Sequence, residues 1–442
     1  MSRNIYIETF GCQMNERDSE IMIQLMGEDS YLETSCPEDA DCIVVNTCSI
    51  RGKAAQKAYS LLGGYKTLKE RKPELVVAVT GCVAQQDGAG LLGRMPHLDL
   101  VVGPQNIYRL PELVAQARDR ALRTAAVELS STFTIPAFLP KLEGGTPHKR
   151  FVTIMQGCNN FCTYCVVPHT RGREVSRKPE DIVDEVRHLA QHGVVEVTLL
   201  GQNVNSYGLD KPDEQRINFP ALLRMVAGVE GIKRIRFTTS HPKDLSPELI
   251  NAMAGVERLC PHFHLPVQSG SDTVLAGMNR KYTRKSYLEK VAALRETCPG
   301  IAISTDIIVG FPGESDSDFE QTMELIEEVR YDSAFSFKYS DRPLAAAAAF
   351  NGKIPEEVKS QRLSRLQARQ EEISQEIYHS MVGQTVEVMV EGKSKAAGGQ
   401  WSGRTRENRI VNFQCGDQLF PGQLLRVKIE ESCRHSLRGA CK

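Results

Sequence analysis

The stretch Gln156-Gly157-Cys158-Asn159-Asn160-Phe161-Cys162-Thr163-Tyr164-Cys165 decides how the rest of the chain is read. Its C-x3-C-x2-C spacing places three thiols on one short loop, where they can face a single iron–sulfur cluster. A four-iron cluster held by three local ligands keeps one iron open for a small molecule. The apolar run Phe151 to Met155 reads as a strand feeding the loop, with Gly157 allowing the turn. Structural zinc is the competing reading; it calls for a fourth nearby Cys or His, and His169 is the only candidate.

On the N-terminal side, short apolar runs at 5–7, 42–45, 75–79 and 98–102 alternate with helical patterns at 16–26, 53–71, 84–95 and 110–122. That order predicts a parallel α/β sheet domain over residues 3–125. The first three strands run into Cys12, Cys48 and Cys82. Carboxyl ends of parallel strands share one rim, so these distant cysteines should converge on a second cluster with an open iron. Gly11 and Gly81 would let the backbone turn around a bulky group. The bland alternative is that small apolar residues merely cap the strands.

Residues 126–147, with Pro136, Pro140 and Pro147, read as an irregular linker. From 148 to 380, strands at 151–155, 196–200, 234–238, 262–266, 303–309 and 334–339 alternate with helices such as 179–191, 287–297 and 319–329. Six units fall short of a closed eight-stranded barrel and predict a partial (β/α)6 barrel, with chemistry at the carboxyl ends of its strands. The loops there carry Gly201, Gln202, Asn203 and Asn205, then Gln268, then Gly310 and Gly313. Alone, each loop is an ordinary turn. Sharing a rim with the cysteine loop makes them candidate cofactor contacts, glycines for close approach and amides for base edges. His262 and His264, two apart on one strand, are expected to be packed or hydrogen-bonded.

After a charged helical pattern at 355–378, residues 381–442 alternate in short segments such as 385–390 and 424–429. These predict a small antiparallel β-barrel of the oligonucleotide-binding kind. The stretch from Gly383 onward holds ten Lys and Arg against six Asp and Glu, on a chain whose net charge is −1. Arg404, Arg406 and Arg409, with Arg426, Lys428, Arg434 and Arg438, are the candidate RNA contacts; a solvated basic face is the alternative. Composition, 41% hydrophobic and 25% charged over 442 residues, is that of a soluble globular protein. No run reaches membrane-spanning length and the first residues lack an apolar core, so a cytoplasmic protein is expected, its thirteen cysteines reduced.

With both cysteine triplets placed, the chain resembles the methylthiotransferases of the radical S-adenosylmethionine superfamily over nearly its whole length. The resemblance implies an auxiliary 4Fe-4S cluster on Cys12, Cys48 and Cys82. It implies a radical 4Fe-4S cluster on Cys158, Cys162 and Cys165 that binds S-adenosylmethionine, and a C-terminal RNA-binding TRAM barrel. The stretches Leu199 to Gly208 and Gly403 to Arg409 are similar to motifs of the tRNA enzymes that add a methylthio group to C2 of N6-isopentenyladenosine beside the anticodon. The branch acting on threonylcarbamoyladenosine is the nearer rival; the ribosomal-protein branch differs at both stretches. Implied partners are a tRNA anticodon stem-loop and a reductant such as a flavodoxin-type electron donor, with the sulfur donor unspecified. No acid–base catalyst is implied. A non-catalytic iron–sulfur or zinc RNA-binding protein is the reading from another class, separable by metal analysis. One departure stands out: after Tyr339-Ser340 the branch pattern Arg-Pro-Gly-Thr is replaced by Arg342-Pro343-Leu344 and five alanines, which could start a helix.

Overall fold

The computed structural model describes residues 3–49, 52–142, 147–394, 399–416 and 418–441. Runs such as Ile43-Val44-Val45 and Val76-Val77 are apolar on both faces, as a parallel sheet covered on both sides requires. They form β1 (Arg3–Thr9), β2 (Tyr31–Glu33), β3 (Cys42–Thr47), β4 (Val76–Gly81), β5 (Leu100–Val102) and β6 (Thr124–Ala126), in the order β2-β1-β3-β4-β5-β6. Every pair is parallel. β2 and β6, three residues each, are too short to leave a periodic signal in the sequence. The helix expected at 84–95 breaks at Gly88, which has a φ of +54°, into Cys82–Asp87 and Gly90–Arg94.

The segment that reads as a linker is irregular but pinned. Phe138 is buried, with its ring 4.6 Å from the Arg17 guanidinium and its carbonyl accepting from Arg177. Leu139 and Pro140 carbonyls accept from Gln24 and His188. Residues 143–146 of this segment lie outside the described residues.

The central unit contains β7 (Lys149–Thr153), β8 (Met155–Gln156), β9 (Val175–Ser176), β10 (Glu196–Leu200), β11 (Arg234–Thr238), β12 (His262–His264), β13 (Ala302–Val309) and β14 (Ser333–Lys338). Parallel sheets β7-β10-β11 and β12-β13-β14 abut through a bridge between Ile235 and Leu259, and the Phe237 and Phe263 rings meet edge-on at 5.1 Å. Among the described residues β7 and β14 have no further strand partner, so six strands make a wall with one open side. Helices such as Pro179–Gln191 and Asp316–Val329 cover its outside, burying one large apolar core. The helix Gln13–Glu28 docks the first sheet on this unit through a buried triad: Arg17 and Arg177 both pair with Glu185.

The last five strands, β15 (Thr385–Lys393), β16 (Trp401–Thr405), β17 (Ile410–Gln414), β18 (Leu424–Ser432) and β19 (Leu437–Cys441), close a barrel in the order β15-β16-β17-β19-β18. Its pairs are antiparallel apart from β17 with β19, which is parallel and corrects the all-antiparallel expectation. That parallel register sets Gln414 opposite Ala440 and brings the next residues, Cys415 and Cys441, into a disulfide with Cα atoms 5.3 Å apart. These two thiols are therefore not reduced as expected; strands that pair non-locally leave no mark in the spacing. Among the described residues no helix is long and apolar enough to cross a membrane.

Candidate metal centres

Because β1, β3 and β4 are neighbours, their carboxyl ends put Cys12, Cys48 and Cys82 on one rim of the first sheet. Cys12 caps the helix Gln13–Glu28 and Cys82 opens the next helix after β4. Helix N-termini favour thiolates. The hydrogen bond to Cys48 is the largest influence on Cys12 and lowers its thiol to about 6, assisted by the Arg171 charge. Gly11 has a φ of +127°, and a Cβ there would lie 2.2 Å from the Cys48 Cβ. Gly81 has a φ of +88°, and its Cβ would lie 2.2 Å from the Thr47 carbonyl oxygen. Only glycine lets these strand ends come so close.

Asn15, invisible to motif reading, ties this rim together. Its amide donates to the Phe10 and Thr47 carbonyls, and its Oδ1 accepts from Arg171 at 3.0 Å. Arg171 comes from the central unit, six residues beyond Cys165. It is buried, pairs with buried Asp18 at 2.7 Å, and interacts electrostatically with Cys82 and Cys12. Arg342, in the loop after β14, interacts electrostatically with Cys48. Arg171 Nη1, Ser49 Oγ and Thr80 Oγ1 are buried with no hydrogen-bond partner among the described residues. Three thiols surrounded by unspent N–H and O–H donors suit a sulfide-rich anionic cluster.

The second triplet lies on the loop between β8 and the helix Val167–Thr170. Gly157 (φ +83°) turns so tightly that a Cβ would fall 1.9 Å from the Arg173 carbonyl oxygen. Burial pushes the Cys158 thiol up to about 11 and the Cys165 thiol up to about 12. Buried thiols with such values shed their protons readily only to a metal. Asn160 Nδ2 donates toward Cys158 Sγ at 3.6 Å, and buried Arg280 donates to Cys162 Sγ at 3.3 Å. His241 Nε2 stands 3.9 Å from the same sulfur, its imidazole held neutral by burial, which lowers it to about 2. Arg280 also bonds the Tyr164 hydroxyl and the Pro266 carbonyl, so the turn after β12 braces the loop. Among the described residues no group of three His, Cys, Asp or Glu closes tightly enough for a single ion. A four-iron cluster takes its thiolates at separate corners, where they stand farther apart.

The two centres interlock. The helix that follows Cys165 packs on the one that begins with Cys82, and Gln105 of the first unit lies against Gly172 of the second. The alanine run after Arg342 forms a single 3-10 turn, Ala346–Ala349, rather than a longer helix. Its Ala347 N–H donates to the Thr163 carbonyl at 2.8 Å, holding the cysteine loop from outside.

The other candidate residues line the same rim but several face inward to the protein. Gln202 Oε1 accepts from the Gly157 N–H, supporting the cysteine loop. Asn203 donates to Asp244 at 2.7 Å and Asn205 to the His241 carbonyl at 3.4 Å, though each keeps a buried Oδ1 with no partner among the described residues. Gly201 packs on Met155, and the space over Gly310 is filled by the Lys359 side chain. Gly313 (φ +84°) has nothing within 4 Å of an added Cβ, and buried Gln268 (φ +71°) pairs with Ile307 through its backbone. His262 and His264 are joined through Ser304 Oγ, at 3.2 and 3.0 Å.

The arginines read as RNA contacts are each engaged within the molecule. Arg406 donates to the Glu257 and Leu259 carbonyls, Arg409 pairs with Asp332, and Arg404 pairs with Glu391 and caps Asn408. In return Arg236 donates to the Thr405 and Arg406 carbonyls and Arg234 pairs with Glu387. These residues fasten the small barrel beneath the central strands, because buried carbonyls and carboxylates there need donors. Arg426 and Lys428 on β18 stay exposed.

Three family models match: residues 4–103 the uncharacterized protein family UPF0004, 152–326 the radical SAM superfamily, and 379–442 the TRAM domain. The tRNA-2-methylthio-N(6)-dimethylallyladenosine synthase of Syntrophobacter fumaroxidans is 52% identical over 440 residues, covering 99% of this chain and 95% of that protein. The protein of the same name from Geobacter sulfurreducens is 52% identical over 438 residues, covering 99% and 97%. In fold, the chain is similar to TsrM, a radical S-adenosylmethionine methyltransferase from Kitasatospora setae, with TM-score 0.57 at 15% identity over 79% of this chain and 77% of that one.

Proposed function

Since this chain belongs to the family of tRNA-2-methylthio-N(6)-dimethylallyladenosine synthases, radical S-adenosylmethionine enzymes, we propose that it adds a methylthio group to C2 of N6-dimethylallyladenosine beside the tRNA anticodon. In this reading Cys158, Cys162 and Cys165 hold the radical cluster, and Cys12, Cys48 and Cys82 hold an auxiliary one. The observation that supports it is the interlocking of two thiol triplets through Arg171, since the established chemistry of the family needs two centres within reach of one base. When bound, the clusters and S-adenosylmethionine supply the one-electron chemistry and the sulfur that an unactivated aromatic C–H requires.

The chain's own residues orient and enclose. Arg280, Asn160 and Gln202 set the positions of the Cys162 and Cys158 sulfurs and of the Gly157 turn. Arg171 balances the negative charge gathered at the first rim, and Asn15 fixes its guanidinium. A low-potential electron donor of the flavodoxin type reduces the loaded protein, and the barrel's exposed Arg426 and Lys428 meet the RNA backbone.

Anaerobic reconstitution of the full chain should give about eight irons and methylthiolated product on a prenylated anticodon stem-loop. Alanine at Cys48 should leave about four irons and S-adenosylmethionine cleavage without product. Product on a threonylcarbamoylated stem-loop but not on the prenylated one would overturn the assignment.

A further inference from the structure

Side chains on β13 and β14 alternate between the helix-covered outside and the inside of the open wall. The parallel register sets Asp306 beside Phe335 and Ile308 beside Phe337, so these four share the inner face, whereas Ile307 is buried outside. Phe335 is 55% exposed and Phe337 43% exposed, although each stands next to a fully formed core. Both lie on the edge strand, at the mouth of the wall's open side. Beside them the surface turns polar: His264 stands 3.5 Å from Asp306, and its ring meets Phe335 edge-on with centroids 6.1 Å apart. Toward the carboxyl end, Ile308 packs into the cluster of Phe311 and Tyr339 that also holds Tyr164 of the cysteine loop. The two rings thus lead from the open side toward that loop.

We propose that Phe335 and Phe337 form the wall that receives the dimethylallyl arm of the substrate base, and that Asp306 turns away bases whose N6 substituent carries a carboxylate. The proposal rests on the reading above and sets its specificity. A five-carbon arm offers no hydrogen bond, so only apolar surface can select it, and two exposed rings on the inner face of the wall are such surface. An apolar wall alone rejects a polar analogue weakly. A second carboxylate brought near Asp306 in a partly desolvated site is repelled far more strongly than in water.

The test is equilibrium binding of the full-length protein to three fluorescent anticodon stem-loops: prenylated, unmodified and threonylcarbamoylated. The protein should bind the prenylated RNA about tenfold more tightly than the unmodified one. The Phe335→Ala, Phe337→Ala double variant should reduce that preference to about twofold, with Phe335→Leu keeping it because the side chain stays apolar. Asp306→Asn should tighten binding of the threonylcarbamoylated RNA about tenfold relative to the prenylated RNA. A double variant with an unchanged melting temperature and an undiminished preference would overturn the proposal. If the double variant does not fold, the Asp306→Asn arm decides, and no gain for the threonylcarbamoylated RNA refutes it. Failure of the unaltered protein to prefer the prenylated RNA refutes the assigned substrate itself.

Discussion

Glu185→Ala is the most revealing perturbation of the docking between the two halves. Glu185 is fully buried and accepts from Arg17 of one unit and Arg177 of the other. Its removal takes the shared carboxylate from two buried guanidinium groups, leaving Arg17 with Glu20 and Arg177 with backbone carbonyls alone. Breaking such a pair costs about 3–5 kcal/mol, chiefly the uncompensated charge left behind. At 1.4 kcal/mol per tenfold, that moves the docking equilibrium by roughly two to three and a half orders of magnitude. The Cys158 loop and the bonds that Arg280 and Gln202 make to it lie wholly within the central unit, so S-adenosylmethionine cleavage should stay within about twofold. Methylthiolated RNA should fall, raising the 5′-deoxyadenosine formed per product about tenfold or more. The assay counts both products by mass spectrometry in the same anaerobic reaction, beside a thermal melt. Replacing Arg17, Arg177 and Glu185 together by Met, Met and Leu should recover most of the stability, because apolar groups of similar volume need no partner. A variant with Glu185→Ala alone that melts and couples like the parent would refute the role given to the triad.

Gly11→Ala should strain the turn by about 1–3 kcal/mol and lower bound iron from about eight toward four, whereas Gly27→Ala, with open space around it, should change neither. Replacing Arg426 and Lys428 by Ala should weaken RNA binding and lower its slope against log salt by about 0.7 for each phosphate that is no longer neutralised, measured by titration at several salt concentrations. Arg406→Ala should instead lower the melting temperature, because it removes the donor that caps the Glu257 and Leu259 carbonyls. Burial lowers the His262 imidazole to about 3 in the folded chain. Its contribution is whole above about pH 6.5 and is lost as pH falls toward 3, by at most about 1.4 kcal/mol per pH unit. His262→Gln should flatten that part of the stability profile, measured by denaturant titration from pH 7 to 5.

Strands flanked by clear turn residues, such as Glu196–Leu200 and Arg234–Thr238, can be read from the sequence to the residue, because one apolar face packed in the core forces the alternation. The meeting of Cys12, Cys48 and Cys82 follows from parallel-sheet geometry alone, so it too is legible. Arg171, Asn15 and Arg280 are not, since each acts across a tertiary contact that leaves no local spacing. Charge likewise does not say which face an arginine serves: Arg406 and Arg409 carry the same signal as Arg426 but point into the molecule. The prolines of the 126–147 segment announce irregular backbone, yet the burial of Phe138 between Arg17 and Arg177 depends on partners far away in the chain.

Completion of the first rim by Arg171 and Arg342 bears on biogenesis. The thiols at 12, 48 and 82 leave the ribosome long before the residues that neutralise and cover them. A nascent N-terminal sheet therefore presents three thiols beside an unfinished wall, and if they hold a cluster as proposed, the charges that balance it arrive only once translation has passed β14.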